Sequence, residues 1–568
     1  MDGKKQLFLL WDKLYPSEGT KKLEGFLKNL SRTDLSVEHG LDQDDWYKDA
    51  IVYSLYVDLF NKDFKGLINR LDYLEDLGVN CLWLLPILDS PMRDAGFDIR
   101  NYDRIRGELL GLEEGFSKKE QEKIFGDFLE QAHQRGIRVI FDIAINHCSD
   151  QHPWFREALN STENPFRDYF IWSRDPNKYN NARILFKGIE KSNWEAVNDG
   201  WYYFHRFFSF QPDLNYRNPD VLLGMATNML YWQSLGVDGF RADAIPYLWK
   251  EEGTSCENLE NTHTVVKFFR AILDYVKPGT LLLAEACQQP AEVVKYLGEG
   301  DECHAAYHFP LMPMIYKSIA AKDSAPVKQI LSQEVTPPLP ESGQWFSFLR
   351  VHDELSLERV YVSEEDRRFI HEQYCHQTEW DFREGEGISA RLAELMKKDP
   401  AKIGLAYSLM LTLTGTPVMY YGDEFGKWND EQYYREQIKL TGKDDTRFLV
   451  RGRIDWDDLE RKLKSKENFH TKVFEMISAM ISARKSASAF GRGETQFLDA
   501  QRVIMAYLRN TSEEMILVVN NLSESDQSYN NPFPERNMMI LHAEAFSMDD
   551  ENQQMKFGPH GFGWFKLL

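Results

Sequence analysis

The sequence predicts an α/β protein built on a parallel (β/α)8 barrel, with an inserted subdomain after the third strand and a β-sandwich at the C-terminal end. Two observations lead to this fold class. From residue 46 onward, short apolar runs alternate with segments whose apolar residues recur every three or four positions, as when strands alternate with amphipathic helices. After residue 489 the helical pattern stops, and strand-like runs such as "MILVVNN" follow.

Eight of the apolar runs have the length of a barrel strand, and helical patterns such as "KGLINRLDYLEDLG" from Lys65 and "TVVKFFRAILDYV" from Thr264 separate them. Eight such units predict a closed TIM barrel, whose active site lies where strands end and the following loops begin. The predicted strands are 50–57, 81–86, 138–145, 239–243, 281–286, 305–310, 345–353 and 416–423.

The chain of 568 residues exceeds one ordinary domain, and two segments between strands are too long for simple loops. We therefore expect several units along the chain. The predicted domains are a helical N-terminal extension (1–45), the barrel (46–147 and 217–488) with a lid-like insertion (354–401), the inserted subdomain (148–216) and the C-terminal β-sandwich (489–568).

The charge and composition narrow the class of partner. A net charge of −22 opposes binding to nucleic acid or an anionic membrane and favours a neutral small molecule. We find no signal-peptide pattern and no apolar run of about 18 residues that could span a bilayer. The six cysteines form no C-x-x-C pair, which is typical of reduced proteins. We therefore expect a cytoplasmic protein, and the sequence carries no signal for an oligomeric state.

The fourth predicted strand carries an arginine and an aspartate inside the otherwise apolar stretch "GFRADAIPYL" (239–248). Since side chains alternate along a strand, Arg241 and Asp243 share one face. A structural ion pair that satisfies only itself is one explanation. An active-site pair is the other.

Acidic residues at the ends of further predicted strands favour the active-site explanation. Two carboxylates that face one sugar ring are what glycosidic bond cleavage requires. Arg241 is expected to lower the pKa of Asp243 and keep it ionised, while Glu285, at an apolar strand end, is expected to stay protonated. The polar residues at these strand ends are Asp142, Asn146 and His147 in "FDIAINH", Arg241 and Asp243, Glu285 in "LLLAEA", and His352 and Asp353 in "FLRVHDE".

Four motifs, "DIAINH", "GFRADA", "AEA" and "VHD", with "QPDLNY" between the first two, occur in an order and spacing that resemble the α-amylase superfamily of glycoside hydrolases. The resemblance covers residues 46 to about 568. Longer strings, such as "PYLWKEEGTSCENLENTH" (246–263) and "GDECHAAYHFPLMP" (300–313), are similar to the trehalose synthases of that superfamily, which interconvert maltose and trehalose.

This resemblance implies a retaining mechanism through a glucosyl-enzyme. Asp243 would be the nucleophile, Glu285 the acid/base and Asp353 the transition-state stabiliser. His147, Arg241 and His352 would hold sugar hydroxyls. Retention implies that the nucleophile and acid/base carboxyls lie about 5 to 5.5 Å apart.

Three departures from the resembled pattern concern single residues. Phe97 replaces a tyrosine platform under the reacting ring, keeping the stacking surface without its hydroxyl. Val351 replaces the asparagine that usually precedes the His-Asp pair in trehalose synthases. Lys250 stands where an acidic residue would help to bind calcium, and an ammonium group repels that ion. We expect no required cofactor, calcium binding that is weakened or absent, and the lysine head in the ion's place. The other implied calcium ligands are Asn146, Asp213 and the carbonyls of Tyr247 and Leu248.

The segment "KDDTRFLVRGRIDWDDLE" (443–460) is a larger departure, because it looks more like the corresponding loop of amylosucrases. Arg447 or Arg451 is expected to pair with Asp94 and close the sugar pocket. The loop leaves three functions open: maltose–trehalose interconversion, an α-glucosidase, amylase-type or sucrose-using enzyme, and a barrel that has lost catalysis and serves as a binding subunit.

Overall fold

The structure is a computed structural model that describes residues 3–30, 44–113, 115–186 and 189–568. Residues 1–2 and 31–43 of the predicted N-terminal extension, and residues 187–188 of the predicted insertion, lie outside the described residues.

The predicted barrel is confirmed. Eight strands form a closed barrel in the order β1-β8-β7-β6-β5-β4-β3-β2, and every neighbouring pair is parallel. Almost every residue of these strands is buried, as expected for parallel strands that are covered on both faces. The barrel strands are β1 (Val52–Leu55), β2 (Cys81–Leu84), β3 (Arg138–Ala144), β4 (Gly239–Asp243), β5 (Leu281–Ala284), β6 (Ala305–Tyr307), β7 (Gln344–Phe348) and β8 (Thr416–Tyr420).

Helices follow the strands and cover the barrel. The single helix predicted from Lys65 is in fact two short helices, Phe64–Ile68 and Leu71–Leu77. Among the described helices, none combines the length and the apolar character needed to cross a membrane. The other α-helices are Gly3–Leu14, Lys21–Leu30, Val57–Asn61, Gly107–Leu110, Lys118–Gln134, Pro153–Asn160, Pro219–Ser234, Glu260–Val276, Pro290–Val293, Leu311–Ala321, Ala325–Ile330, Glu364–Tyr374, Leu392–Leu395, Pro400–Thr412, Glu431–Thr441, Trp456–Leu463, Phe469–Lys485 and Ala489–Arg492.

Gly239 permits the close contact between β4 and β5 at the start of β4. A Cβ at this position would lie 2.6 Å from the carbonyl oxygen of Leu281, so any larger residue would push the two strands apart. The register set here pairs Arg241 with Asp142 of β3 and with Leu283 of β5. The strand that carries Arg241 and Asp243 is thus fixed between the two strands that present the neighbouring acids.

The seventh strand ends earlier than predicted. It stops at Phe348, whereas the apolar run predicted a strand to residue 353. The buried guanidinium of Arg350 donates to the backbone carbonyls of Val351 and Asp353, so those oxygens have a side-chain partner instead of a neighbouring strand. His352 and Asp353 therefore lie on a loop beyond the strand end.

A two-stranded antiparallel sheet, formed by Leu88–Asp89 and Asn101–Ile105, lies between β2 and β3, and two three-stranded sheets lie in later loops. One, between β3 and β4, is antiparallel and consists of Trp172–Ser173, Tyr202–Phe204 and Trp194–Ala196. The other, between β7 and β8, consists of Leu355–Ser356, Gly387–Ile388 and Asp381–Phe382.

The chain ends in the predicted antiparallel sheet domain. Its last strand, Gln554–Leu567, pairs along one edge with two different strands, Met515–Asn521 and Gln527–Asn530, and along the other edge with Met538–Asp549. Glu494–Phe497 and Ile504–Asn510 complete the sheet. Buried residues such as Ile504, Leu517 and Phe565 form a separate apolar cluster on one face.

A carboxyl group is buried beside the end of β8. Glu424 is fully buried and accepts hydrogen bonds from the hydroxyls of Tyr53 (2.8 Å) and Tyr73 (2.7 Å) and from the backbone N–H of Gly422 (2.8 Å). Burial outweighs these hydrogen bonds and raises the pKa of Glu424 to about 7 from an ordinary value of 4.5.

This raised pKa predicts a pH-dependent contribution to stability. A carboxyl whose pKa is higher in the folded state adds stability below pH 4.5, and that contribution is lost as the pH rises through about 7. Glu424→Gln should remove this slope, which is worth about 3 kcal/mol in total. Urea unfolding at pH 5 and pH 8 measures it. Exposed Glu467→Gln serves as the control, and an unchanged slope in Glu424→Gln would contradict the assignment.

Candidate active site

The ends of β3, β4 and β5 bring three carboxylates to one guanidinium. Arg241 is 2% exposed, and its Nη1 lies 2.7 Å from carboxylate oxygens of both Asp142 and Asp243. Its Nη2 lies 2.6 Å from Oε1 of Glu285. The indole of Trp83 donates to the other oxygen of Asp142 at 3.0 Å. Asp243 and Glu285, bound to the two nitrogens of one guanidinium, therefore lie side by side.

The charges at this cluster do not balance, and this changes the expected protonation of Asp243. Burial, together with the neighbouring charge of Glu285, raises the pKa of Asp243 well above its usual range, although Arg241 lowers it. Our expectation that Arg241 alone keeps Asp243 ionised is therefore wrong, because one cation faces three acids. The protonated form of Asp243 is therefore favoured in this cluster.

Asp353 lies in the opposite electrostatic environment. Its carboxylate is 2.7 Å from Arg451 Nη2, 3.2 Å from Arg447 Nη1 and 3.1 Å from His352 Nε2. Burial raises the pKa of Asp353, but the neighbouring His352, Arg447 and Arg451 together hold it well below its usual range. Asp353 is therefore ionised at neutral pH.

The expected pairing of Arg447 or Arg451 with Asp94 does not form. Both arginines contact Asp353, and Arg447 also contacts Asp445 at 2.7 Å. Asp94 accepts a hydrogen bond from Gln211 Nε2 at 2.9 Å. Burial raises the pKa of Asp94, the two arginines nearby lower it, and the net direction is upward.

His147 is a neutral hydrogen-bonding group at the end of β3. It is 1% exposed, and burial lowers its pKa to about 4. Its Nε2 has no hydrogen-bond partner in the described part of the chain, which leaves it available to a substrate hydroxyl. The ring of Phe97 is stacked on that of His352, at a centroid distance of 5.9 Å and an interplanar angle of 25°.

Apart from Asp142, Gln211 and Asp445, these groups line a cavity of about 750 Å³ at the C-terminal face of the barrel. This volume lies within the usual range for small-molecule sites. Every residue predicted to be catalytic or to bind substrate is on its wall; these residues are Asp94, Phe97, His147, Arg241, Asp243, Glu285, His352, Asp353, Arg447 and Arg451.

Sequence reasoning missed several polar residues of this wall. Tyr307, the last residue of β6, presents a buried hydroxyl without a hydrogen-bond partner among the described residues. Its position at a barrel strand end was the signal that could have identified it. Glu354, which follows Asp353, is 9% exposed, and its Oε2 also has no partner in the residues described. Gly387 makes room for it, since a Cβ there would collide with the Glu354 side chain.

Comparison with known proteins identifies the family. The family model described as Alpha amylase, catalytic domain, matches residues 42–493, and Maltogenic Amylase, C-terminal domain, matches residues 495–564. The chain belongs to the α-amylase family. It is accordingly an enzyme that acts on carbohydrate.

Relatives within the α-amylase family match almost the whole chain. "Trehalose synthase/amylase TreS" of Mycobacterium tuberculosis is 36% identical over 97% of this chain and 95% of its own length. "Trehalose synthase" of Thermus thermophilus is 38% identical over 92% of this chain and 55% of its own length. Among solved structures, trehalose-6-phosphate hydrolase of Bacillus licheniformis matches with a TM-score of 0.70 at 23% identity, over 92% of this chain and 99% of that one. This last likeness concerns the fold alone.

The calcium position that the α-amylase family implies holds a lysine side chain here. The ammonium of Lys250, 3% exposed, lies 2.8 Å from Oδ1 of Asn146 and 2.8 Å from Oδ2 of Asp213. The predicted position of the lysine head is therefore observed. Tyr247 and Leu248, whose carbonyls were the other expected ligands, lie at the turn after β4. Within the described ranges, no group of three or more His, Cys, Asp or Glu side chains is arranged to hold a metal. A divalent ion does not fit beside this ammonium.

Replacing Lys250 tests whether its ammonium group takes the place of a metal ion. Lys250→Met leaves the fully buried Asp213 without its cation and should lower the free energy of unfolding by about 3–5 kcal/mol. Urea unfolding measures this loss, with exposed Lys295→Met as the control. For the unaltered protein we expect the same thermal midpoint in EDTA and in millimolar calcium. A rise of several degrees with calcium would show that the ion displaces the ammonium.

Glu354 yields a second prediction. Burial, and then the charge of Asp353, raise the pKa of Glu354, so its ionised form costs stability at neutral pH. Glu354→Gln should raise the free energy of unfolding by about 1 kcal/mol. The same variant should have a kcat/KM about tenfold lower, because it loses a contact to the substrate. Exposed Glu384→Gln, on the same pocket wall, should change neither quantity. Equal activity of Glu354→Gln and the unaltered enzyme would exclude contact with substrate.

Proposed function

We propose that this enzyme transfers glucosyl groups of small α-glucosides with retention of configuration, and that its reaction is the interconversion of maltose and trehalose. The observation that carries the proposal is the placement of Asp243, Glu285 and Asp353 on the wall of one pocket. Relatives that match nearly the whole of this chain are named "Trehalose synthase/amylase TreS" and "Trehalose synthase". A neutral disaccharide also agrees with the net charge of −22.

In the first half of the proposed reaction, a carboxylate oxygen of Asp243 attacks the anomeric carbon of the bound glucosyl unit. The proton that the raised pKa of Asp243 favours passes to Glu285 as the substrate binds, and Glu285 gives it to the departing glycosidic oxygen. One carbon–oxygen bond breaks and one forms, which leaves a glucosyl ester on Asp243 and a free glucose in the pocket. Asp353, held ionised by its cations, faces the developing positive charge.

In the second half, the released glucose turns in the pocket and presents another hydroxyl. Glu285 removes the proton from that hydroxyl, whose oxygen attacks the anomeric carbon and displaces Asp243. Attack by the anomeric hydroxyl gives trehalose, and attack by the 4-hydroxyl gives maltose. Water would give hydrolysis instead. A pocket that retains the released glucose and excludes water favours transfer over hydrolysis.

Val351 supports a second candidate function, hydrolysis or the use of a different glucoside such as sucrose. It lines the pocket one residue before His352, where trehalose synthases usually have asparagine. An apolar side chain there removes a hydrogen-bonding group that would orient the second sugar. Weaker orientation would release glucose or change the accepted acceptor.

Product analysis separates these candidates. The purified enzyme is incubated overnight with maltose, trehalose and sucrose in separate reactions, and every product sugar is quantified by chromatography. We expect trehalose as the main product from maltose and maltose as the main product from trehalose. Glucose as the dominant product would make the enzyme a hydrolase, and turnover of sucrose alone would make it a sucrose-using transglucosylase.

The role of Asp243 has a direct test. Asp243→Asn keeps the shape of the side chain but removes the nucleophile, so kcat on the best substrate should fall by about 10⁴-fold or more. Steady-state assays measure the loss, and exposed Asp76→Asn should retain full activity. Undiminished turnover in Asp243→Asn would mean that the reaction does not pass through an ester on this residue.

A further inference from the structure

A second cavity, of about 690 Å³, adjoins the active-site cavity. The two share part of one wall, in which Asp94, Arg383, Arg447 and Arg451 face both spaces. The far side of the second cavity is formed by the helix Glu431–Thr441 and the residues after it. Neither the proposed reaction nor its residues account for this space.

Aromatic rings form much of the lining of the second cavity. Phe186, Phe208 and Phe210 lie in a parallel stack, with centroid distances of 4.4 and 5.0 Å and interplanar angles of 10° and 9°. Tyr433 and Phe448 line it from the side of the helix. These rings give the cavity an apolar wall, as in most small-molecule pockets.

The same cavity contains buried polar atoms that have no partner in the described residues. The hydroxyl of Tyr56 and Nε of Arg106 are such atoms, and each of the two residues is 5% exposed. A buried polar group without a partner costs stability, so it usually indicates a ligand or an ordered water. Both residues lie on the wall of the second cavity.

The charged groups of the lining favour a neutral ligand over an anion. Most of these cations already have acceptors: Arg106 contacts Glu108 at 2.9 Å, Arg453 contacts Glu436 at 3.3 Å, and Lys443 donates to the carbonyl of Arg93 at 2.9 Å. Arg383 instead lies over the ring of Phe186, 4.7 Å from its centroid. Arg447 and Arg451 are bound to carboxylates in the shared wall. An anion entering this cavity would have to compete with those acceptors.

We propose that the second cavity binds a neutral sugar of one or two rings, separately from the active site. The proposal goes beyond the proposed function, because it requires binding without turnover. Since Arg447 and Arg451 contact Asp353 and also face the second cavity, a sugar there would be coupled to sugar in the active site, and by linkage each would change the affinity of the other.

The test counts binding sites. Maltose is titrated calorimetrically into the full-length Asp243→Asn variant, in which turnover is blocked. A further change, Gln437→Trp, places a bulky ring in the second cavity, and Lys439→Trp, on the same helix but outside the lining, is the matched control. We expect two sites in Asp243→Asn and in the control, and one site fewer with Gln437→Trp.

The proposal fails if Gln437→Trp and Lys439→Trp bind the same number of maltose molecules, or if inorganic phosphate binds in the second cavity and maltose does not. Phe210→Ala, which removes a ring of the stack without filling the space, should weaken the same site at least about tenfold, so misfolding of one variant cannot decide the result. A failure of the proposed function is seen separately, in the product analysis. If two maltose molecules bind but the product analysis finds no trehalose, the second sugar site is supported and the proposed reaction is wrong.

Discussion

The buried guanidinium of Arg241 is the interaction on which the rest of the pocket depends. It contacts Asp142, Asp243 and Glu285 from three consecutive strands, and a single cation cannot neutralise three acids. Burial and this excess of negative charge raise the pKa of Asp243. Removing the guanidinium would leave the acids to repel one another with little solvent to screen them.

The two halves of the pocket have opposite charge balance. Asp353, on the loop after β7, faces more cationic groups than acids, whereas Asp243 faces more acids than cations. One carboxyl group is therefore held ionised while the pKa of a neighbouring one is raised, and carboxyls whose pKa values are pushed apart are typical of acid/base sites. The difference comes from the fold, because strand ends supply the acids and the loop residues Arg447 and Arg451 supply the cations.

Sequence reasoning predicted the features that depend on local pattern. The eight strands and the acids at their ends follow from short apolar runs and from residues next to them along the chain. The end of β7 was missed because Arg350 binds carbonyls of its own loop, which no periodicity reveals. The partners of Arg447 and Arg451 were missed because Asp353 and Asp94 are both distant in sequence, and only the packing of loops selects between them. The second cavity was likewise invisible, since it has no motif, whereas Tyr307 could have been found from its position at the end of a barrel strand.

The two arginines on Asp353 are four residues apart in one short segment, 447–451, which also separates the two cavities. The same few residues therefore determine both the shape of the pocket and the charge opposite Asp353. A substitution that widened the pocket for a longer sugar would disturb the electrostatics of the reaction as well. The size of the accepted substrate and the positive charge beside Asp353 therefore change together in evolution. A descendant that accepted larger glucans would need another cation near Asp353 in place of the one it lost.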